Sequence, residues 1–187
     1  MKKVLGIISV LVLVVLLTGC AVTKNNNGGT TPTAKPAKGN CNVFECIKKL
    51  DTKDDLEKVN KVMGFEGELV TDSSSYKSYQ WVINEEKNET VKVVFYTTSA
   101  TISITFSDED VKNSKVDFSK YNDIKKAMNN KESKTYDDIK KAFNADGILI
   151  EKTSYNEKYR WVDKDGKYMN ATFSNTSGAC TIMIGRI

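Results

Sequence analysis

Residues 67–82, GELVTDSSSYKSYQWV, decide the architecture because they are written twice: residues 147–162 read GILIEKTSYNEKYRWV, at a constant offset of 80. Gly67, Leu69, Tyr79, Trp81 and Val82 recur as Gly147, Leu149, Tyr159, Trp161 and Val162, while Val70 is kept in kind as Ile150 and Arg160 answers Gln80. Both tryptophans of the chain lie in this stretch. Upstream, Leu56, Val59 and Met63 answer Tyr136, Ile139 and Phe143 at the same offset, with the spacing of one helix face. Downstream, Val91, Val93 and Phe95 answer Met169, Ala171 and Phe173 at 78, and Ile102 and Ile104 answer Ile182 and Ile184 at 80. The pattern implies a duplicated unit, helices first and strands after, at 41–112 and again at 113–187.

Within the first unit, Val43, Phe44, Ile47 and Leu50 fall at helical spacing, and a second helix is expected at 54–63 with Asp51 or Thr52 as its cap and Gly64 as its stop. Four strands follow at 67–71, 76–83, 91–97 and 101–106, bounded by polar turns. Connections this short require antiparallel pairing. The second unit repeats the order, with Phe118, Tyr121, Ile124 and Met128 on its first helix, Thr135 capping a helix at 136–144, and four strands in 147–187. Asp163, Lys164, Asp165 and Gly166 form a hairpin turn, since Asp-Gly supplies the positive φ angles it needs. A calcium loop there would lack the third acidic position and the distal glutamate. The expected class is α+β, two tandem helix-loop-helix plus four-stranded antiparallel units joined as one concave eight-stranded sheet.

The chain begins with Lys2, Lys3 and a 14-residue apolar run at 4–17, which matches a secretory signal peptide at 1–19. Leu17, Thr18, Gly19 and Cys20 resemble the lipobox of bacterial lipoproteins. That resemblance implies cleavage before Cys20 and diacylglycerol on its thiol; the alternative, an uncleaved membrane anchor, is short of the roughly 20 residues a span needs. Acyl chains at about 0.8 kcal/mol per buried methylene suffice for stable anchoring. Residues 21–40 hold Asn and Gly runs and both prolines, Pro32 and Pro36, and read as a disordered tether of about 25 Å root-mean-square span. The expected location is the extracytoplasmic face of a cell membrane, and the Asn-, Lys- and Ile-rich usage suits a Gram-positive bacterium. Removing Lys2 and Lys3 from the 28 Lys and Arg leaves 26 against 24 Asp and Glu, too balanced for nucleic acid binding.

Alternation places Val91, Val93, Phe95, Ile102, Ile104 and Phe106, and likewise Met169, Ala171, Phe173, Ile182 and Ile184, beneath the helices. The strands at 76–83 and 156–162 are ambiguous. If Val82 and Val162 point inward, then Tyr79, Trp81, Tyr159 and Trp161 stand on the open face as an aromatic binding surface. If not, the tryptophans are core.

Helix, loop, helix and a four-stranded antiparallel sheet, given twice on a secreted chain, resembles the β-lactamase inhibitory protein fold and related lipoproteins. The second unit carries the resemblance best, with Tyr121 and Ile124, then Thr135, Tyr136 and Ile139, then Tyr159 and Trp161. It is also similar to the small lipoproteins of outer-membrane assembly, which use one such unit. The inhibitor resemblance implies a concave sheet that grips a partner protein's protruding loop. The cysteines depart from it, because the inhibitor's disulfides staple strand regions, whereas Cys41 and Cys46 precede or open the first helix and Cys180 lies in a late strand. Cys41 and Cys46 are close enough in sequence to bond across a tight loop, a Cys46–Cys180 bridge is the alternative, and Cys180 shares the parity of Ile182 and Ile184 as a core residue.

Catalysis has little to stand on. The chain has no histidine, no Gly-x-Ser-x-Gly and no phosphate loop. Asp108, Glu109 and Asp110 read as a solvated turn, and metal ligands and cofactor motifs are wanting. The expectation is a lipid-anchored module without enzymatic activity that binds a protein at the cell surface, or alternatively an assembly or scaffold lipoprotein that inhibits nothing.

Overall fold

The computed structural model describes residues 39–186. Lipidation of Cys20, the signal peptide at 1–19 and nearly all of the tether at 20–40 lie outside them. The described residues form an α+β fold in which four helices pack against one open, eight-stranded antiparallel sheet. In chain order these are α1 (Val43–Lys49), α2 (Leu56–Met63), β1 (Glu68–Asp72), β2 (Lys77–Asn84), β3 (Glu89–Phe95) and β4 (Ala100–Thr105). After a 3-10 turn at Asp108–Val111 come α3 (Tyr121–Asn129), α4 (Tyr136–Phe143), β5 (Ile148–Lys152), β6 (Asn156–Val162), β7 (Lys167–Ser174) and β8 (Cys180–Arg186). Every strand lies beside its sequence neighbour, so the sheet is a continuous meander. No described helix is long and apolar enough to cross a membrane.

The helices are short and are fixed at their ends by side chains. Asn42 accepts the Glu45 amide at 2.9 Å to open α1. α2 begins two residues later than its periodicity suggests, and Asp55, not Asp51 or Thr52, is its cap, accepting the Lys58 amide at 2.8 Å. The reason is local: the Asp54 carboxylate turns back to accept the Asp51 amide at 2.8 Å, closing a tight turn ahead of the helix. Gly64 ends α2 in the left-handed region at φ 84°, as expected. Thr135 opens α4 in a reciprocal capping box with Asp138, and Asn144 takes the left-handed cap position at φ 56°. Phe118 lies ahead of α3 instead of on it, with its ring 5.1 Å from that of Phe143.

Two core clusters lie between the helices and one face of the sheet. The first joins Val43, Ile47, Val59 and Met63 to Trp81, Val91, Val93 and Ile102; the second joins Ile124, Ile139 and Phe143 to Trp161, Met169 and Ala171. Local geometry in the two halves corresponds closely. A register shift falls between Leu69 and Thr71 and again between Leu149 and Glu151, so Val70 and Ile150 are both bulge positions. Ser73 and Thr153 each use a hydroxyl to accept the amide three residues on, from Tyr76 at 3.1 Å and from Asn156 at 2.9 Å. The halves meet where β4 and β5 exchange only two pairs, Ile102↔Lys152 and Ser103↔Glu151. Leu149 of β5 belongs to the first core, and the Lys152 ammonium donates to the Leu50 carbonyl at 3.0 Å, so packing adds to a short ladder.

The expected hairpin at 163–166 forms, and the Asp163 carboxylate is consumed by it, accepting the amides of Asp165 and Lys167 at 2.9 Å each. The acidic run after β4 is more than a solvated turn. Asp108, 14% exposed, receives both of its carboxylate hydrogen bonds from Arg160 at 2.9 Å, while the Arg160 Nε donates to Asn170 and its guanidinium lies 4.7 Å from the Tyr168 ring centre. This network ties the connection between the halves to β6.

Candidate functional site

The aromatic face expected from Tyr79, Trp81, Tyr159 and Trp161 is not there. Trp81 and Trp161 are 0% and 1% exposed, and both tyrosines pack beside them against the helix-side core. Register explains it: Trp81 pairs with Val91 and Tyr79 with Val93, Trp161 with Met169 and Tyr159 with Ala171, and directly paired residues share a face. Each indole N–H finds a carbonyl sixteen residues back, Trp81 on Phe65 at 3.2 Å and Trp161 on Ala145 at 2.8 Å. Gly67 and Gly147 are required beneath the rings, because a Cβ at either would overlap the indole. The repeated Gly and Trp are thus one packing device used twice.

The face away from the helices is mixed, with Val82, Val94, Val162, Tyr168 and the exposed Met183 among its polar residues. One unbroken row of paired residues crosses all eight strands, Glu68, Gln80, Lys92, Ser103, Glu151, Lys158, Thr172 and Thr181. That row offers charge, and on the same face Tyr168 is covered by the Arg160 guanidinium.

A concave feature with apolar character sits elsewhere, at the end of β2 and β3 beside the start of α2. Leu56, Tyr79 and Phe95 line it, Tyr76, Tyr96, Asp55, Lys77, Thr97 and Ser73 to Ser75 surround it, and its volume is about 400 Å³, within the range of ligand sites. Tyr79 and Phe95 stand edge to face at 5.9 Å, and Tyr76 and Tyr96 form a second ring pair at 5.9 Å while remaining 38% and 49% exposed. Exposed tyrosine beside an apolar hollow is the composition of recognition sites.

The same place in the second half is full. Tyr136, the first residue of α4 and the counterpart of Leu56, inserts its ring 4.6 Å from Tyr159, 5.9 Å from Trp161 and 6.0 Å from Phe173. Its hydroxyl accepts the Gly147 amide at 3.1 Å and lies 3.3 Å from the Asp146 carboxylate. In the first half Asn60 does that polar work, accepting the Gly67 amide at 3.0 Å and the Trp81 indole at 3.1 Å. The rim differs too, since Asn156 and Ser174 stand where the first half has Tyr76 and Tyr96. Burial raises the hydroxyl pKa of Tyr136, and burial together with the hydrogen bond to Glu157 raises that of Tyr159.

A disulfide joins Cys41 and Cys46, the first of the two expected pairings, with Cα atoms 5.6 Å apart, and leaves Cys180 as a half-buried free thiol whose pKa burial pushes up to about 11. The described residues contain no group of three or more His, Cys, Asp or Glu placed to hold a metal ion. Tyr76 and Tyr96 fall at the ends of the expected strands at 76–83 and 91–97, and the structure places both just outside β2 and β3, beyond the alternating pattern. Their signal in the sequence is the difference between the two halves at these positions, Asn156 and Ser174 standing in the second.

Compared with family models, with curated proteins and with solved structures, the chain matches none. The arrangement defines its class by architecture alone, an open α+β meander with a buried Gly-Trp device in each half.

Proposed function

We propose that the protein is a lipid-anchored extracytoplasmic binding module. It is held to the membrane through Cys20 and a tether at 20–40, and it recognises a protein partner at the cell surface without turning it over. Its units at 41–112 and 113–187 arise by tandem duplication and share one concave sheet. The observation that carries the binding reading is the hollow beside Leu56, open and rimmed by exposed tyrosines where the second half fills the same place with its own ring. The buried tryptophans take no part in contact.

Two experiments test this reading with the full chain. Cys20→Ala should move the protein from the detergent to the aqueous phase on partition, and an unchanged partition would reject the lipid anchor. Leu56→Tyr gives α2 the ring that α4 carries, and proteins retained from the cell surface by the wild-type chain should be lost. Equal retention by both would place the contact elsewhere, and no retention by either would reject the binding reading. A panel of β-lactamases assayed with the purified protein addresses the inhibitor resemblance directly.

A further inference from the structure

The geometry points to the nature of the group that the hollow takes: the arginine side chain of a partner protein. This rests on the binding reading above and adds the chemistry of the contact. Two charged side chains line the hollow, Asp55 and Lys77. The Lys77 ammonium is matched by Asp72 at 3.2 Å. Asp55 is exposed and forms no ion pair among the described residues; one of its oxygens accepts the Lys58 amide at 2.8 Å, and the Lys58 ammonium is held by Asp54 at 2.6 Å. The rim therefore keeps one carboxylate with a free oxygen and no ion-pair partner, while the neighbouring Lys58 and Lys77 ammoniums are each paired with another carboxylate.

The second half removes this feature together with the space. Where α2 opens on Asp55 and Leu56, α4 opens on the neutral Thr135 and on Tyr136, whose flat ring fills the gap. Cap charge and vacancy occur together in one half and are absent together from the other. A guanidinium is flat, as the phenol is, and stays positively charged at any physiological pH. It stacks on tyrosine faces and reaches a carboxylate in a directed fork, while its apolar stem lies along residues such as Leu56 and Phe95. The dipole of α2 by itself would favour an anion, but Asp54 and the cap Asp55 just ahead of the helix and Glu57 in its first turn already offset it.

The test uses the full chain in detergent micelles and small probes, with backbone amide shifts at residues 55, 76 and 96 followed by NMR. N-acetyl-arginine methylamide should shift these amides saturably at millimolar concentration, and the citrulline analogue, the same shape without charge, should bind about tenfold more weakly. Asp55→Asn should abolish that difference, and Leu56→Tyr should block both probes while circular dichroism stays unchanged. Equal binding of arginine and citrulline, preference for an N-acetyl-glutamate probe, or no saturable shift at these amides would each overturn the assignment. Partner capture that survives Leu56→Tyr would overturn it while leaving the binding reading intact; arginine binding without any partner would do the reverse.

Discussion

In both halves of the sheet a tryptophan lies flat on a glycine fourteen residues before it and donates to a carbonyl sixteen residues before it. Around that shared device the halves diverge at the first residue of the second helix. In the second half Tyr136 supplies both bulk and a hydrogen-bond acceptor, closing the site over Tyr159 and Phe173. The first half divides these tasks, with Asn60 taking the polar one and Leu56 leaving the volume open. The difference teaches which parts of the fold are constrained. The glycine and tryptophan cannot change without loss of the core, whereas the helix start can be plugged or left open while the layer beneath it is preserved.

The comparison breaks most severely if the shared device is not core. Trp81→Ala and Trp161→Ala should each cost about 3–5 kcal/mol in urea unfolding, as for other fully buried large rings. A loss under 1 kcal/mol at either would show that the halves do not use the indole alike. Next comes the plug itself: Tyr136→Leu makes the second half resemble the first but leaves the Gly147 amide without its acceptor. It should cost about 3 kcal/mol. The reciprocal Leu56→Tyr should stay within about 1 kcal/mol of wild type, since the ring enters existing space and Asn60 already holds Gly67. Similar losses from both exchanges would erase the asymmetry.

Two smaller effects separate the halves further. The Cys41–Cys46 bridge staples the first half alone, and for so short a loop its removal by paired Cys→Ala changes should cost about 2 kcal/mol. Arg160→Gln substitutes the residue of its counterpart, Gln80, and strands Asp108 beneath the connection; a loss of about 2 kcal/mol is expected.

Much of this was legible in the sequence, and the parts that were not have physical causes. The offset of 80 carried the helix and strand order, the Gly64 stop and the Thr135 cap, because caps and periodicity are local properties. The side of Trp81 and Trp161 was not legible from one strand, since period-2 alternation gives two faces and no direction. It becomes legible once the hairpins are closed and Trp81 falls opposite Val91, a residue already assigned to the core. The start of α2 was misread because Asp51, Thr52, Asp54 and Asp55 are all good caps, and only the folded chain selects among them. The hollow was hidden for a different reason. It is defined by where the halves differ, at Leu56 and Tyr136 and at Tyr76 and Asn156, and the residues they share do not point to it.

The mildest contrast lies in alkaline titration. The folded state raises the pKa of Tyr136 and Tyr159, so it holds these protons more tightly than the unfolded chain does. Their contribution to stability is therefore complete below the ordinary tyrosine value near 10 and falls as pH climbs from there through the raised folded values. Cys180, shifted up to about 11, acts in the same direction from the ordinary thiol value upward, so thermal melts belong in a Cys180→Ala background. There the melting temperature should drop between about pH 10 and 12, and Tyr136→Phe with Tyr159→Phe should flatten the drop. An unchanged slope would refute the role given to these hydroxyls.

The central claim is that the vacancy in the first half is the contact site. Site-specific photocrosslinking on intact cells tests it directly, with the reactive group placed once at position 96 and once at its counterpart, position 174. A discrete protein adduct from position 96, lost in a Leu56→Tyr background and absent from position 174, is the predicted result. Adducts of equal yield from both positions, or an adduct from 96 that persists when the hollow is filled, would contradict the account.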